Sequence, residues 1–146
     1  MLDRLLPDVP TPAALLGLAG VLPFAAAALL SLQDGATGEW ARVALLAYGA
    51  VILSFLGGIH WGLALAGRSS PAALDLGIGV LPSLVGWAGL LAGGTTGLLV
   101  LLAGFLAVLA VDIGLSRDGR APAWFARLRT VLTGAVSASL LLALLL

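Results

Sequence analysis

Apolar residues fill this chain in long runs instead of alternating with polar ones, and short clusters of charge, glycine and proline cut those runs into five lengths. A helix of about 20 apolar residues crosses a hydrocarbon layer of about 30 Å. The pattern predicts transmembrane helices over approximately 12–33, 43–66, 72–93, 96–115 and 126–146. Breaks fall at Gln33-Asp34-Gly35, Gly67-Arg68-Ser69-Ser70-Pro71, Gly93-Gly94-Thr95-Thr96-Gly97 and Ser116-Arg117-Asp118-Gly119-Arg120, all of them turn-forming compositions. The third break is small and uncharged, so spans three and four are expected to form a tight hairpin. The expected fold class is an all-α integral membrane bundle of five transmembrane helices, one domain over residues 1–146. Arg4 ahead of the first run resembles the start of a leader, but the run is long and reads as a retained span.

Composition agrees with lipid as the main solvent: 61% of residues are hydrophobic, 10% are charged, and the mean hydropathy is +1.16. The absence of cysteine excludes disulfides and thiolate chemistry. Seven basic against seven acidic residues argue against nucleic acid as a partner. The basic residues, all arginine, are unevenly placed. With five spans, Arg4, Arg68, Arg117, Arg120, Arg127 and Arg129 fall on one side and Arg42 alone on the other. Cationic loops stay in the cytoplasm, so the amino terminus is expected there and the carboxyl terminus on the outer side. The opening residues MLDRLLPDVP are expected to lie along the inner surface, with Pro122, Trp124 and Phe125 anchoring the last span at the same level.

Within the apolar runs, Gly20-Val21-Leu22-Pro23 of the first span recurs as Gly79-Val80-Leu81-Pro82 in the third, each after a Leu-Gly pair. Each proline removes one backbone donor and frees the carbonyl four residues earlier, Ala19 or Ile78. Two parallel hairpin repeats plus one helix is therefore a candidate internal layout. Small residues at helical spacing, namely Gly58 and Gly62, then Gly86, Gly89 and Gly93, then Thr130, Thr133, Gly134, Ser137 and Ala138, read as helix-packing seams.

Titratable groups inside such runs need a reason, because a charge at a helix centre in lipid costs about 3 kcal/mol even on insertion scales. The lone histidine, His60, sits beside Trp61 and eight residues before Arg68; Asp112 sits five before Arg117. The topology brings His60, Trp61, Asp112, Arg127 and Arg129 to one level as a candidate polar cluster, with Asp75 near the start of the third span. One reading is structural, the groups pairing with each other to fix helix docking. The other makes His60 and Asp112 a proton-responsive pair or the polar anchor of a quinone-like or lipid headgroup. A single histidine lacks the companions for a metal or haem site, so no metal or cofactor is expected. Ser54 and His60 are about 120° apart around a helix, so they form no catalytic pair, and no nucleophile elbow, phosphate loop or His-Glu-x-x-His motif occurs. An enzyme is not expected.

The segments Leu16-Gly-Leu-Ala-Gly-Val-Leu-Pro-Phe24, Tyr48-Gly-Ala-Val-Ile-Leu-Ser-Phe-Leu-Gly-Gly-Ile-His-Trp-Gly62, Val80-Leu-Pro-Ser83 with Trp87, Asp112 and Pro122-Ala-Trp-Phe-Ala-Arg-Leu-Arg-Thr130 resemble the transmembrane protein 69-like family. The resemblance covers nearly the whole chain, and Ser-Phe-Leu-Gly-Gly-Ile-His-Trp-Gly is its distinctive part. It implies a small multi-span protein of the bacterial inner membrane, with relatives in mitochondria, and brings no activity, cofactor or active site. The favoured function is a non-enzymatic accessory or assembly subunit packing against a larger membrane complex. The alternative is a small carrier or quinone- or lipid-binding protein with His60 and Asp112 at its mouth. An accessory subunit should expose a glycine- or serine-lined face to a partner and have no polar cavity; a carrier should contain an internal pocket reaching His60.

Overall fold

The computed structural model describes residues 6–68 and 72–145; Arg4, with the rest of the first five residues, and the Ser69-Ser70-Pro71 break lie outside the described residues. The described residues form five helices: α1 Thr11–Leu30, α2 Ala36–Leu65, α3 Ala72–Ala92, α4 Gly94–Arg117 and α5 Ala123–Leu144. All five are long and apolar enough to cross a membrane, and the chain is a multi-pass membrane protein.

Local chemistry sets the boundaries. Pro12 stands in the first turn of α1, where its missing N–H costs nothing. Beyond the end of that helix the Ser31 hydroxyl donates to the Ala28 carbonyl at 2.7 Å, occupying one of the acceptors that a helix end leaves over. Helix α2 starts about seven residues before the expected 43 and carries Glu39, Trp40 and Arg42 in helical conformation. Its 30 residues span about 45 Å, more than the hydrocarbon thickness, so its first turns project beyond the apolar layer. The Glu39 carboxylate in that first turn complements the helix dipole, which a pattern based on hydrocarbon width does not register. The hairpin between α3 and α4 is as tight as expected: Gly93 alone separates them, and Gly93 and Gly94 adopt φ of 61° and 48°, a reversal that side chains with a Cβ rarely adopt.

The helices pack in a closed ring, α1 on α2, α2 on α3, α3 on α4, α4 on α5 and α5 back on α1, with α2 also crossing to α4. Phe24, Leu45, Leu53, Leu98, Leu101, Phe105 and Leu140 form the fully buried centre, and Phe24 meets Phe105 edge-on at 5.7 Å. Outward positions stay apolar, as lipid requires; Leu16, Phe55, Leu65 and Trp87 are largely exposed.

Helices α2 and α3 approach backbone to backbone. A Cβ on Gly57 would overlap the carbonyl oxygen of Gly79, and a Cβ on Gly79 would lie 2.8 Å from that of Gly57. The seam expected at Gly58 and Gly62 is displaced by one residue: these two face outward, and a Cβ added to either would have no neighbour within 4 Å, while Gly57 takes the contact. A helix face is narrow, so a shift of one position turns a residue by about 100° away from its neighbour. Gly86 against Ala50 and Gly89 against Gly97 do form seams as expected.

Both prolines lie inside helices that flank α2, and α2 supplies a side-chain donor to each. Tyr48 donates to the Gly20 carbonyl at 3.0 Å, and the Trp61 ring nitrogen donates to that of Leu76 at 3.1 Å. The carbonyls engaged lie one residue after Ala19 and two residues before Ile78, not at those two themselves; the donor lands where bare glycine backbone lets an aromatic ring approach, at Gly20 and beside Gly79.

Gly57→Ala should therefore force the closest helix pair apart and lower stability by about 1–3 kcal/mol, read as a loss of thermal midpoint by circular dichroism in detergent. Gly58→Ala, one residue away on open surface, should be neutral or slightly stabilising.

Candidate functional site

Three helices meet near the arginine-rich end of the bundle. Helix α2 delivers His60 from its last two turns, α4 delivers Asp112, and α5 delivers Arg129 and, one turn later, Thr133. Asp112 is fully buried, His60 and Thr133 are each 1% exposed, and Arg129 is 6% exposed. The Arg129 Nε donates to Asp112 Oδ2 at 2.7 Å, a charge-assisted bond at the short end of the usual range. His60 Nε2 stands 3.6 Å from Asp112 Oδ1, in electrostatic contact but beyond hydrogen-bond length.

The cluster is only partly self-satisfied. His60 Nδ1, Asp112 Oδ1, Arg129 Nη2 and Thr133 Oγ1 are buried without a hydrogen-bond partner among the described residues. Unmet polar capacity of this kind is costly in an apolar setting.

The remaining members of the sequence-predicted cluster go elsewhere. Trp61 is half exposed and committed to the Leu76 carbonyl. Arg127 extends along the surface, donating to the Pro7 carbonyl at 2.7 Å with Asp8 at 3.8 Å. Both are one or two residues from a cluster member and hence rotated off its face. Asp75 is buried and pairs with Arg120, whose Nε also donates to the Arg68 carbonyl at 2.9 Å, so this pair fastens two loops at the same end. Two participants escaped sequence reading. Arg120 looked like a loop charge, although its side of the bundle is also that of Asp75. Thr133 was absorbed into a small-residue seam, although its spacing of four from Arg129 puts it on the same helix face.

Two apolar cavities adjoin the cluster. The first, about 150 Å³, lies among α1, α2, α4 and α5, and the only polar side chains in its wall are Arg129 and Thr133. Leu16 and Phe55, 74% and 69% exposed, are also in that wall and open it toward the lipid-facing surface. The second, about 110 Å³, lies between α2, α3 and α4, with His60 as its one polar side chain. Each GVLP segment borders one cavity: Gly20 and Val21 the first, Leu81 and Pro82 the second. Ser54, by contrast, donates to the Ala50 carbonyl of its own helix at 3.0 Å and takes no part. Chemically, the arrangement can hold a hydrogen-bond acceptor at the base of an apolar slot.

A family model described as "Protein of unknown function (DUF3429)" matches residues 9–145. Transmembrane protein 69 of Xenopus tropicalis is 38% identical over 136 residues, which cover 89% of this chain and 52% of that protein. Transmembrane protein 69 of Mus musculus is 41% identical over 87 residues, 58% of this chain and 35% of that protein. The chain thus spans about half the length, or less, of these relatives. No solved structure matches.

Removing one member of the buried pair should be worse than removing both. Arg129→Met strands the Asp112 carboxylate and should lower stability by about 3–5 kcal/mol, whereas Asp112→Leu combined with Arg129→Met should recover most of that loss. Thermal unfolding of the wild type, the Arg129→Met and Asp112→Leu single variants and the double variant in one detergent measures it; a double variant as damaged as the two single losses summed would contradict the pairing.

Proposed function

The chain belongs to the DUF3429 family of proteins of unknown function, and from that premise we propose that it is a non-enzymatic membrane protein that holds a lipid-soluble ligand against its buried ion pair. The observation that carries this reading is the apolar cavity of about 150 Å³ whose wall includes Arg129 and Thr133, each with an unpartnered polar atom among the described residues. The second cavity, reaching His60, supports it, since a pocket at this histidine is what separates a ligand-binding protein from a purely structural bundle. His60 faces Asp112 and, through it, Arg129, so the second cavity reaches the same buried polar group as the first.

A second reading, an accessory or assembly subunit of a larger membrane complex, is favoured by a different observation. Gly58 and Gly62 on α2, and Thr130, Gly134 and Ala138 on α5, form exposed small-residue faces of the kind that receive another helix in lipid. The location belongs with these proposals: a bacterial inner membrane, with the end bearing Arg68, Arg117, Arg120 and Arg127 in the cytoplasm and Arg42 near the outer surface.

Purification of tagged protein in mild detergent, followed by native mass spectrometry and solvent extraction, tests both functional readings. Ligand holding predicts a near-stoichiometric lipophile that stays with the wild type through purification and is lost in Gly20→Leu, whose side chain would fill the larger cavity. A stoichiometric companion protein, lost in Gly134→Leu, would favour the accessory reading. Recovery of bare protein would count against both. Since the chain lacks cysteine, Ser116→Cys and Gly35→Cys give single-site reporters of orientation; an impermeant thiol reagent applied to intact cells should label the second and spare the first.

A further inference from the structure

Of the two cavities beside the cluster, the larger carries the more specific chemistry. We propose that it binds the head of a neutral, ring-carbonyl amphiphile of the quinone type, with a carbonyl oxygen accepting from Arg129 Nη2 and Thr133 Oγ1. The apolar chain of this ligand leaves sideways between α1 and α2, past Leu16 and Phe55. This assignment rests on the ligand-holding reading and specifies its site, portal and headgroup.

Hydrogen-bond polarity argues for an acceptor. A guanidinium has donors and no acceptor, and a threonine hydroxyl can donate; both side chains are at least nine-tenths buried, both line the cavity, and each retains an unpartnered atom among the described residues. Charge argues for a neutral one. Asp112, 2.7 Å from Arg129, already balances that cation, so a carboxylate or phosphate entering the same apolar site would bury an uncompensated negative charge. Size argues for a ring. A volume of about 150 Å³ matches that of an engineered apolar cavity known to take up benzene, and the buried rings of Phe24 and Phe105 in the wall offer aromatic surface.

The portal follows from what is missing along α1. Gly20 leaves that helix bare on the side facing the cavity, where an added Cβ would have only Tyr48 Oη within 4 Å, at 3.9 Å, whereas Gly17, one turn earlier, is covered by Leu132 of α5. Phe24 lines the slot and is backed by Tyr48, whose ring lies 4.9 Å away and whose hydroxyl donates to the Gly20 carbonyl.

Equilibrium binding of a decyl-substituted 1,4-benzoquinone to the full chain in phosphatidylcholine nanodiscs tests the assignment. The wild type should bind one molecule saturably, and decylbenzene, which has the same tail and no acceptor, should bind at least about tenfold more weakly. Thr133→Val, which keeps the side chain's shape, should weaken quinone binding by about three- to tenfold, and Gly20→Leu should abolish it by filling the cavity. If Gly20→Leu fails to fold, the Thr133→Val and decylbenzene comparisons decide alone. Equal affinity for quinone and decylbenzene, unchanged affinity in Thr133→Val, or full displacement of the quinone by phosphatidylglycerol would overturn the assignment. Should a natural lipophile co-purify while any of these holds, the headgroup or site assigned here is wrong and ligand holding stands; should neither a lipophile nor the quinone bind, both fall.

Discussion

A carboxylate and a guanidinium held out of water inside a hydrocarbon-embedded bundle are the constraint around which this molecule is organised. Neither Asp112 nor Arg129 could remain ionised alone at that depth without a cost of several kcal/mol. Their bond at 2.7 Å ties α4 to α5, and the nearby His60 brings α2 to the same point. Because α5 also packs on α1, the pair links both ends of the chain into one ring of helices. Among the described residues, the polar side chains that line the adjoining apolar spaces all come from this cluster.

Helix α2 is the second organising element. It is the longest helix and touches α1, α3 and α4. Glycine makes its contact with α3 possible at Gly57 and Gly79, and aromatic donors tie it to the proline-bearing helices on either side, Tyr48 to α1 and Trp61 to α3. The same glycines and prolines that permit these bonds also leave α1 and α3 short of side-chain volume, and a cavity adjoins each GVLP segment. The resemblance between the two segments thus has a common structural consequence: each belongs to a helix that leans on α2 and leaves space beside it.

Exposure of small residues on α2 and α5 illustrates a general property of membrane bundles. Lipid removes the hydrophobic contrast that marks a buried face in water, so Gly58 and Gly134 read the same along the chain as Gly57 and Gly86, although the first two face outward and the others lie against a neighbouring helix. Phe55 and Phe105 differ in the same way, one open to the surround and one at the centre.

Length, apolar run and turn composition determined five helices, their alternation and the gathering of arginines at one end, because crossing a hydrocarbon layer demands about 20 residues without unsatisfied backbone, whatever the neighbours are. They also marked His60, Asp112 and Arg129, since a titratable group in such a run is conspicuous by its cost. Tertiary structure alone decided that Arg129 and not Arg127 meets Asp112, that Arg120 pairs with Asp75, that Thr133 joins the cluster while Trp61 leaves it, and that cavities open beside both GVLP segments. Those outcomes depend on the rotation of each helix about its axis, which a uniformly apolar sequence leaves almost free and only the packing of one helix on another sets.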